Sequence, residues 1–202
     1  MSKRIIEKEM NRRDFFKEGL KNCLRWGILT CSFPTLFRTT ISHAGKVAEI
    51  LQEARYYEKL SQNRVKCHLC FRGCEISDGK RGFCRNRENM KGKLYSIAYA
   101  KPSALQVDPI EKEPSFHMIP GSHIFCTATA SCNFRCKFCQ NWHLSQRSVD
   151  EIPHTDLKPE EVVRRAIGQH CEAVSFTYSE PTAFYEYMFD IVKVAKKSGL
   201  KT

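Results

Sequence analysis

Apolar positions recur along the chain with two different periods. Val47, Ile50, Leu51, Ala54, Tyr57 and Leu60 return every third or fourth residue, which predicts a surface helix over 47–61. Residues 94–99, Leu-Tyr-Ser-Ile-Ala-Tyr, alternate like a half-buried strand. The stretches 108–114 and 119–121 are rich in proline and glycine and read as turns and loop. Residues 123–129 form a short β-prone run. Over 159–169 the pattern is helical: Pro159 suits the first turn, Glu160 and Glu161 complement the dipole, and Val162, Val163, Ala166 and Ile167 share a face. Lys158 stands at the cap position without a capping side chain. Residues 173–178 predict a further strand. Pro181 opens a longer helix with Ala183, Phe184, Tyr187, Met188, Ile191, Val192 and Ala195 on its apolar face, and Gly199 is placed to end it. Leu200-Lys201-Thr202 starts another strand. From 123 onward the order is strand, loop, helix, strand, helix, strand start, which predicts an α/β fold with parallel strands. Two such units cannot close a barrel, so the expected architecture is the N-terminal portion of a longer (βα) barrel.

Charge changes the picture at the N-terminus. The net charge is +11, and Lys3, Arg4, Lys8, Arg12, Arg13, Lys17, Lys21, Arg25, Arg38 and Lys46 face only Glu7, Glu9, Asp14 and Glu18 in the first 46 residues. A basic leader on an ordinary domain explains the excess better than a nucleic-acid surface, and no nucleic-acid partner is expected. Asn11-Arg12-Arg13-Asp14-Phe15-Phe16-Lys17 resembles a twin-arginine export motif. A moderately apolar stretch over 27–37 follows, then small residues at Ser42-His43-Ala44. The expectation is assembly in the cytoplasm with export by that route, or else a cytoplasmic protein. No uninterrupted apolar run reaches the length of a transmembrane helix.

The chemistry lies in the cysteines. The chain has 11, clustered at metal-ligand spacings rather than paired along a disulfide framework. Cys67, Cys70, Cys74 and Cys84 are four thiols among glycines, and they close a coordination shell: a zinc site or an auxiliary iron–sulfur cluster, both left open by ligand type. His68, between the first two, reads as a bystander. Cys132, Cys136 and Cys139 are different. Three thiols on one short loop hold three irons of a cubane and leave the fourth without a protein ligand, which marks a reactive site. Cys126 and Cys171 read as buried core thiols, and Cys23 and Cys31 lie in the leader.

The spacing from Cys132 to Cys139, with Phe138 as its aromatic residue, resembles the CxxxCxΦC signature of radical S-adenosylmethionine (SAM) enzymes. Further blocks resemble the radical SAM enzyme of the AmmeMemoRadiSam group, related to pyruvate formate-lyase activating enzymes. They are Cys67-His68-Leu69-Cys70, Gly82-Phe83-Cys84-Arg85, Asp108-Pro109-Ile110-Glu111-Lys112, Cys139-Gln140-Asn141-Trp142 and Thr177-Tyr178-Ser179-Glu180-Pro181. The chain departs from that family at Ser131, where glycine is usual, at Ser179, Phe71 and Lys158, and in stopping after two βα units.

The resemblance implies a TIM-like radical SAM barrel, truncated, over 122–202, preceded by a helix, a Cys-rich metal-binding module and a linker over 47–121, with the leader over 1–46. It implies a [4Fe–4S] cluster on Cys132, Cys136 and Cys139, and SAM held by the open iron with Phe138, Ser179 and Glu180 beside it. It also implies an oxidoreductase-type enzyme that cleaves SAM reductively to a 5′-deoxyadenosyl radical and abstracts hydrogen from a substrate, a protein among the candidates. A flavodoxin or ferredoxin would supply the electron. Lys112, His117, Asn141 and Trp142 are expected around the cavity, and Glu180 is also placed to serve as a helix N-terminal carboxylate. The competing readings are a non-catalytic zinc-ribbon protein, an electron carrier, or an inactive fragment of the enzyme.

Overall fold

The computed structural model describes residues 51–202. The leader with its twin-arginine motif, and the start of the predicted 47–61 helix, lie outside the described residues. Within 51–61 the helix is replaced by two short strands, β1 (Gln52–Glu53) and β2 (Tyr57–Lys59). The helical period there is overridden by pairing with distant strands, because strand formation depends on the partner more than on local pattern.

Two small antiparallel sheets build the first half. In one, β1 and β5 (Arg87–Met90) flank β6 (Lys93–Ser96). In the other, β2 and β4 (Glu75–Ile76) flank β3 (Val65–Cys67). Ala54, Val65, Cys67, Ile76 and Leu94 form the core between them. The predicted 94–99 strand therefore ends early, at Ser96.

The second half is a three-stranded sheet in the order β7–β8–β9. β8 (His123–Thr129) and β9 (Ala173–Phe176) are parallel, as expected of a βα unit. β7 (Pro102–Pro109) was not foreseen; it runs antiparallel to β8 along its whole length, from Pro102 opposite Thr129 to Pro109 opposite His123. The sheet is thus mixed, and the described residues show an α/β arrangement with no barrel. After β8 come a one-turn helix α1 (Trp142–Ser145), also unforeseen, and α2 (Pro159–Gly168). After β9 a 3-10 turn (Pro181–Phe184) leads into α3 (Tyr185–Lys197), and Gly199 follows at φ +79°. Val162, Val163 and Ala166 of α2 and Tyr187, Ile191 and Ala195 of α3 pack with Phe125, Val174 and Phe184 in one core, while Ile167 of the predicted face is 49% exposed. The strand begun at Leu200 is present as a parallel bridge between Lys201 and Ala173.

Candidate metal centre

β8 delivers the chain to the three-cysteine loop. Its last residues, Thr127 and Thr129, and the Ala130 and Ser131 that follow are fully buried, so the loop leaves the sheet from a rigid base. Cys132 is buried at that base, Cys139 is half-buried and Cys136 is exposed. The Phe134 N–H donates to Cys132 Sγ at 3.4 Å, and Cys139 Sγ lies 3.3 Å from Ser145 Oγ. Cys139 N–H closes a turn onto the Cys136 carbonyl at 3.2 Å. Among the described residues no three His, Cys, Asp or Glu side chains stand close enough to share a single ion. A cubane takes each thiolate on a different iron, so its ligands stand further apart than those of one ion, and three thiols on a single loop suit it.

The end of β9 lies beside this loop. Ser179 Oγ donates to the Thr129 carbonyl at 3.1 Å, tying the two strand ends together. Glu180 Oε1 accepts from Thr182 Oγ1 at 2.7 Å and from Thr182 N–H at 3.4 Å, so its carboxylate caps the 3-10 turn. Phe138 is 91% exposed and Trp142 60%. Ser179 is therefore tied to the strand end from which the loop leaves, Glu180 is engaged by Thr182, and Phe138 stands out from the loop.

The two cysteine groups are interlocked, which sequence reasoning did not foresee. Ser131 Oγ donates to the Cys84 carbonyl. Arg72 Nε donates to the Asn133 carbonyl at 3.2 Å, and Phe71 meets Phe134 with ring centroids 5.3 Å apart. Arg72 and Arg135 cover the Phe83 ring at 3.8 and 4.3 Å. Arg135 also donates to the carbonyls of Cys132 (2.6 Å) and Phe83 (2.8 Å). Burial, and then repulsion from Arg85, lowers the Arg135 pKa. Asn86, fully buried, donates to the Ala130 carbonyl at 2.7 Å. Side chains and backbone carbonyls thus alternate across the junction, and cations surround both sets of thiols. The only advance signal was the clustering of Phe and Arg within the cysteine blocks.

Beside α1 opens a cleft of about 1060 Å³, with Asp108, Lys112, Glu113, Asn141, Arg147 and Tyr178 in its walls. Of the residues expected around the cavity, Lys112 and Asn141 line this cleft and His117 and Trp142 do not; the three loop cysteines, Ser179 and Glu180 are not among its walls either. Asp108 receives the Lys112 ammonium at 2.7 Å and the Tyr178 hydroxyl at 2.6 Å. Those two donors, Lys112 first, hold its carboxyl below the usual carboxylate range. Glu113 accepts from Ser175 Oγ at 2.7 Å and from Cys126 Sγ at 3.3 Å. Burial, and then this carboxylate, pushes the Cys126 thiol up to about 12. Cys126 and Cys171 are buried, as core thiols should be.

A three-thiol loop thus stands at the carboxyl end of β8, a strand parallel to β9, with the segment after β9 tied to that strand end. Residues 127–202 match the family model described as the Radical SAM superfamily. The chain is 49% identical over 150 residues to the uncharacterized protein MJ0808 of Methanocaldococcus jannaschii, covering 74% of this chain and 45% of that protein. It is 28% identical over 132 residues to the uncharacterized protein MJ0674 of the same organism, covering 61% of this chain and 34% of that one. The chain thus spans less than half the length of these curated relatives. No solved structure matches it. No helix among the described residues is long and apolar enough to cross a membrane.

Proposed function

We propose that the chain is the cluster-bearing part of a radical SAM enzyme of the activating-enzyme type, with a hydrogen-bearing substrate, a protein among the candidates. The observation that carries this reading is the loop of Cys132, Cys136 and Cys139 at the end of β8, clamped to the end of β9 through Ser179. Cys132, Cys136 and Cys139 would hold a [4Fe–4S] cluster, which would supply the electron for reductive cleavage of SAM.

The protein's own residues position and shield. The buried base at Thr129–Cys132 fixes where the loop leaves the sheet. Glu180, already oriented by Thr182, presents its carboxylate at the neighbouring strand end, where an ammonium group of SAM would lie. Phe138 supplies an apolar ring at the loop's outer rim, suited to covering a cofactor and excluding water. Ser179 holds the two strand ends in register. Asp108, Lys112, Glu113 and Tyr178 offer the cleft a polar wall of paired charges for orienting a substrate. A flavodoxin or ferredoxin fits the need for a one-electron donor, and assembly in the cytoplasm before twin-arginine export suits a protein whose cluster must be installed first.

The test is anaerobic reconstitution with iron and sulfide, followed by reduction in the presence of SAM. Brown protein that releases 5′-deoxyadenosine, with both properties lost on Cys132→Ala, Cys136→Ala or Cys139→Ala, is the expected result. Iron without SAM cleavage would leave an electron carrier, and protein devoid of iron would overturn the reading.

A further inference from the structure

We propose that the Ser145 hydroxyl donates a hydrogen bond to the Cys139 sulfur when that sulfur is a cluster ligand, and so helps to set the reduction potential of the three-cysteine centre. The proposal rests on the reading of that loop as the cluster site. Cys139 Sγ and Ser145 Oγ stand 3.3 Å apart, within reach of a hydrogen bond to sulfur. Ser145 is 2% exposed and Cys139 half-buried, so bulk solvent has little access to the contact.

The direction of this bond follows from its surroundings. With a free thiol either atom can donate. A thiolate on iron carries no proton, so the hydroxyl is then the donor. Gln146 Nε2 lies 2.9 Å from Ser145 Oγ and 3.5 Å from the Phe134 carbonyl. A carbonyl only accepts, so the end of the amide that faces it is the NH2 and not the oxygen. Ser145 Oγ therefore accepts from Gln146 and keeps its own proton for the sulfur. Accepting one bond polarises the hydroxyl and strengthens the one it gives.

The backbone holds the donor where the sulfur is. Ser145 ends α1, and its N–H donates to the Asn141 carbonyl at 2.9 Å. The Trp142 N–H donates to the Cys139 carbonyl at 3.3 Å, so the turn that carries Cys139 runs directly into α1. The Ser131 N–H donates to the Leu144 carbonyl at 3.0 Å, which fastens the end of α1 to the residue before Cys132. Adding an electron makes a cluster and its ligand sulfurs more negative. A fixed hydrogen-bond donor stabilises the more negative state more, so it raises the potential. At Cys132 the donor is a backbone group, the Phe134 N–H at 3.4 Å. At Cys139 it is a side chain, which a substitution can remove. Ser145 acts through the Cys139 sulfur, so its role is that of a positioning residue.

The test is a redox titration of the anaerobically reconstituted full chain, followed by electron paramagnetic resonance on the signal that Cys132→Ala abolishes. Ser145→Ala should keep the iron and sulfide content and move the midpoint to a more negative value. The reduced-to-oxidised ratio at a fixed potential should fall on the order of tenfold, which is about 59 mV for a one-electron couple. Ser145→Cys, close in shape and a weaker donor, should move the midpoint the same way by less. An unchanged or raised midpoint in Ser145→Ala overturns the proposal. Where the alanine variant takes up no cluster, Ser145→Cys decides by the same criterion. Loss of the cluster from both variants would assign Ser145 to shaping the loop and overturn the proposal as well. An unmutated chain devoid of iron defeats the reading on which the proposal rests. Iron without SAM cleavage defeats the enzyme and leaves the comparison of midpoints standing.

Discussion

Ser131 stands immediately before Cys132 with a left-handed backbone, φ +73°. An L-residue pays about 1–2 kcal/mol for that conformation, which glycine does not. Glycine is usual here in the family that the motif resembles, and the backbone angle supplies the reason. Serine adds a hydrogen bond from its hydroxyl to the Cys84 carbonyl. Ser131→Ala keeps the strained backbone and loses that bond, and should cost about 1 kcal/mol. Ser131→Gly loses the bond but relieves the backbone. Urea unfolding of all three proteins should rank the alanine variant lowest; equality with the parent would show that the hydroxyl contributes nothing. Asp108 makes a pH prediction. Its folded pKa lies below the ordinary 3.8 because Lys112 and Tyr178 donate to the carboxylate. The unfolded chain therefore takes up the proton first as pH falls. The stabilisation is complete above the unfolded value and is lost as pH drops through the folded one. Asp108→Asn should flatten that acid limb in urea midpoints measured from about pH 6 to about pH 2.

α2 begins with Pro159 and two glutamates but without a side-chain cap from Lys158, whose ψ of 156° already places it in the cap conformation. An acceptor there would satisfy a free N–H of the first turn. Lys158→Asp should raise stability by about 0.5–1 kcal/mol, read as a shift in the urea midpoint with an unchanged slope. α2 and α3 were legible because each carries a self-contained period: Val162, Val163 and Ala166 on one, Tyr187, Ile191 and Ala195 on the other, all buried as expected. β7 was not legible. Asp108 and Pro109 at its end fall in the stretch that reads as turn, and Leu105 to Asp108 become a strand only because β8 lies alongside to accept the pairing. The 47–61 helix failed for the same reason in reverse, since Gln52 and Glu53 pair with Ser96 and Tyr95, and Tyr57 with Cys67.

A buried ion pair adds to the links between the two halves of the described structure. Arg87 of β5 and Glu186 of α3 are 2% and 1% exposed and bonded to each other. Glu186 Oε1 also accepts the Arg55 N–H at 2.8 Å, and Arg87 donates to the Arg55 carbonyl at 2.8 Å. Removing one partner leaves the other charge buried alone, so Glu186→Ala should cost about 3–5 kcal/mol. Arg87→Met with Glu186→Leu should cost markedly less, because no charge is stranded. Thermal melts of the single and double variants check both statements; equal losses would show that packing, not charge, holds this junction.

The cysteine spacings alone set the two thiol groups apart as candidate ligand sets, three on one loop and four over 67–84, because ligand number and loop length are properties of the chain. The helices of the βα units were equally plain in local periodicity. Tertiary structure alone decided that the sheet is mixed, that Arg87 lies beneath Cys67, and that the two cysteine groups share Phe83, Arg72 and Ser131. Those facts rest on pairs of residues far apart in the chain, whose burial and pairing exist only once the strands have met. The same is true of the pocket that Cys67, Cys70, Cys74 and Cys84 share with Ile76, Gly82 and Ala183.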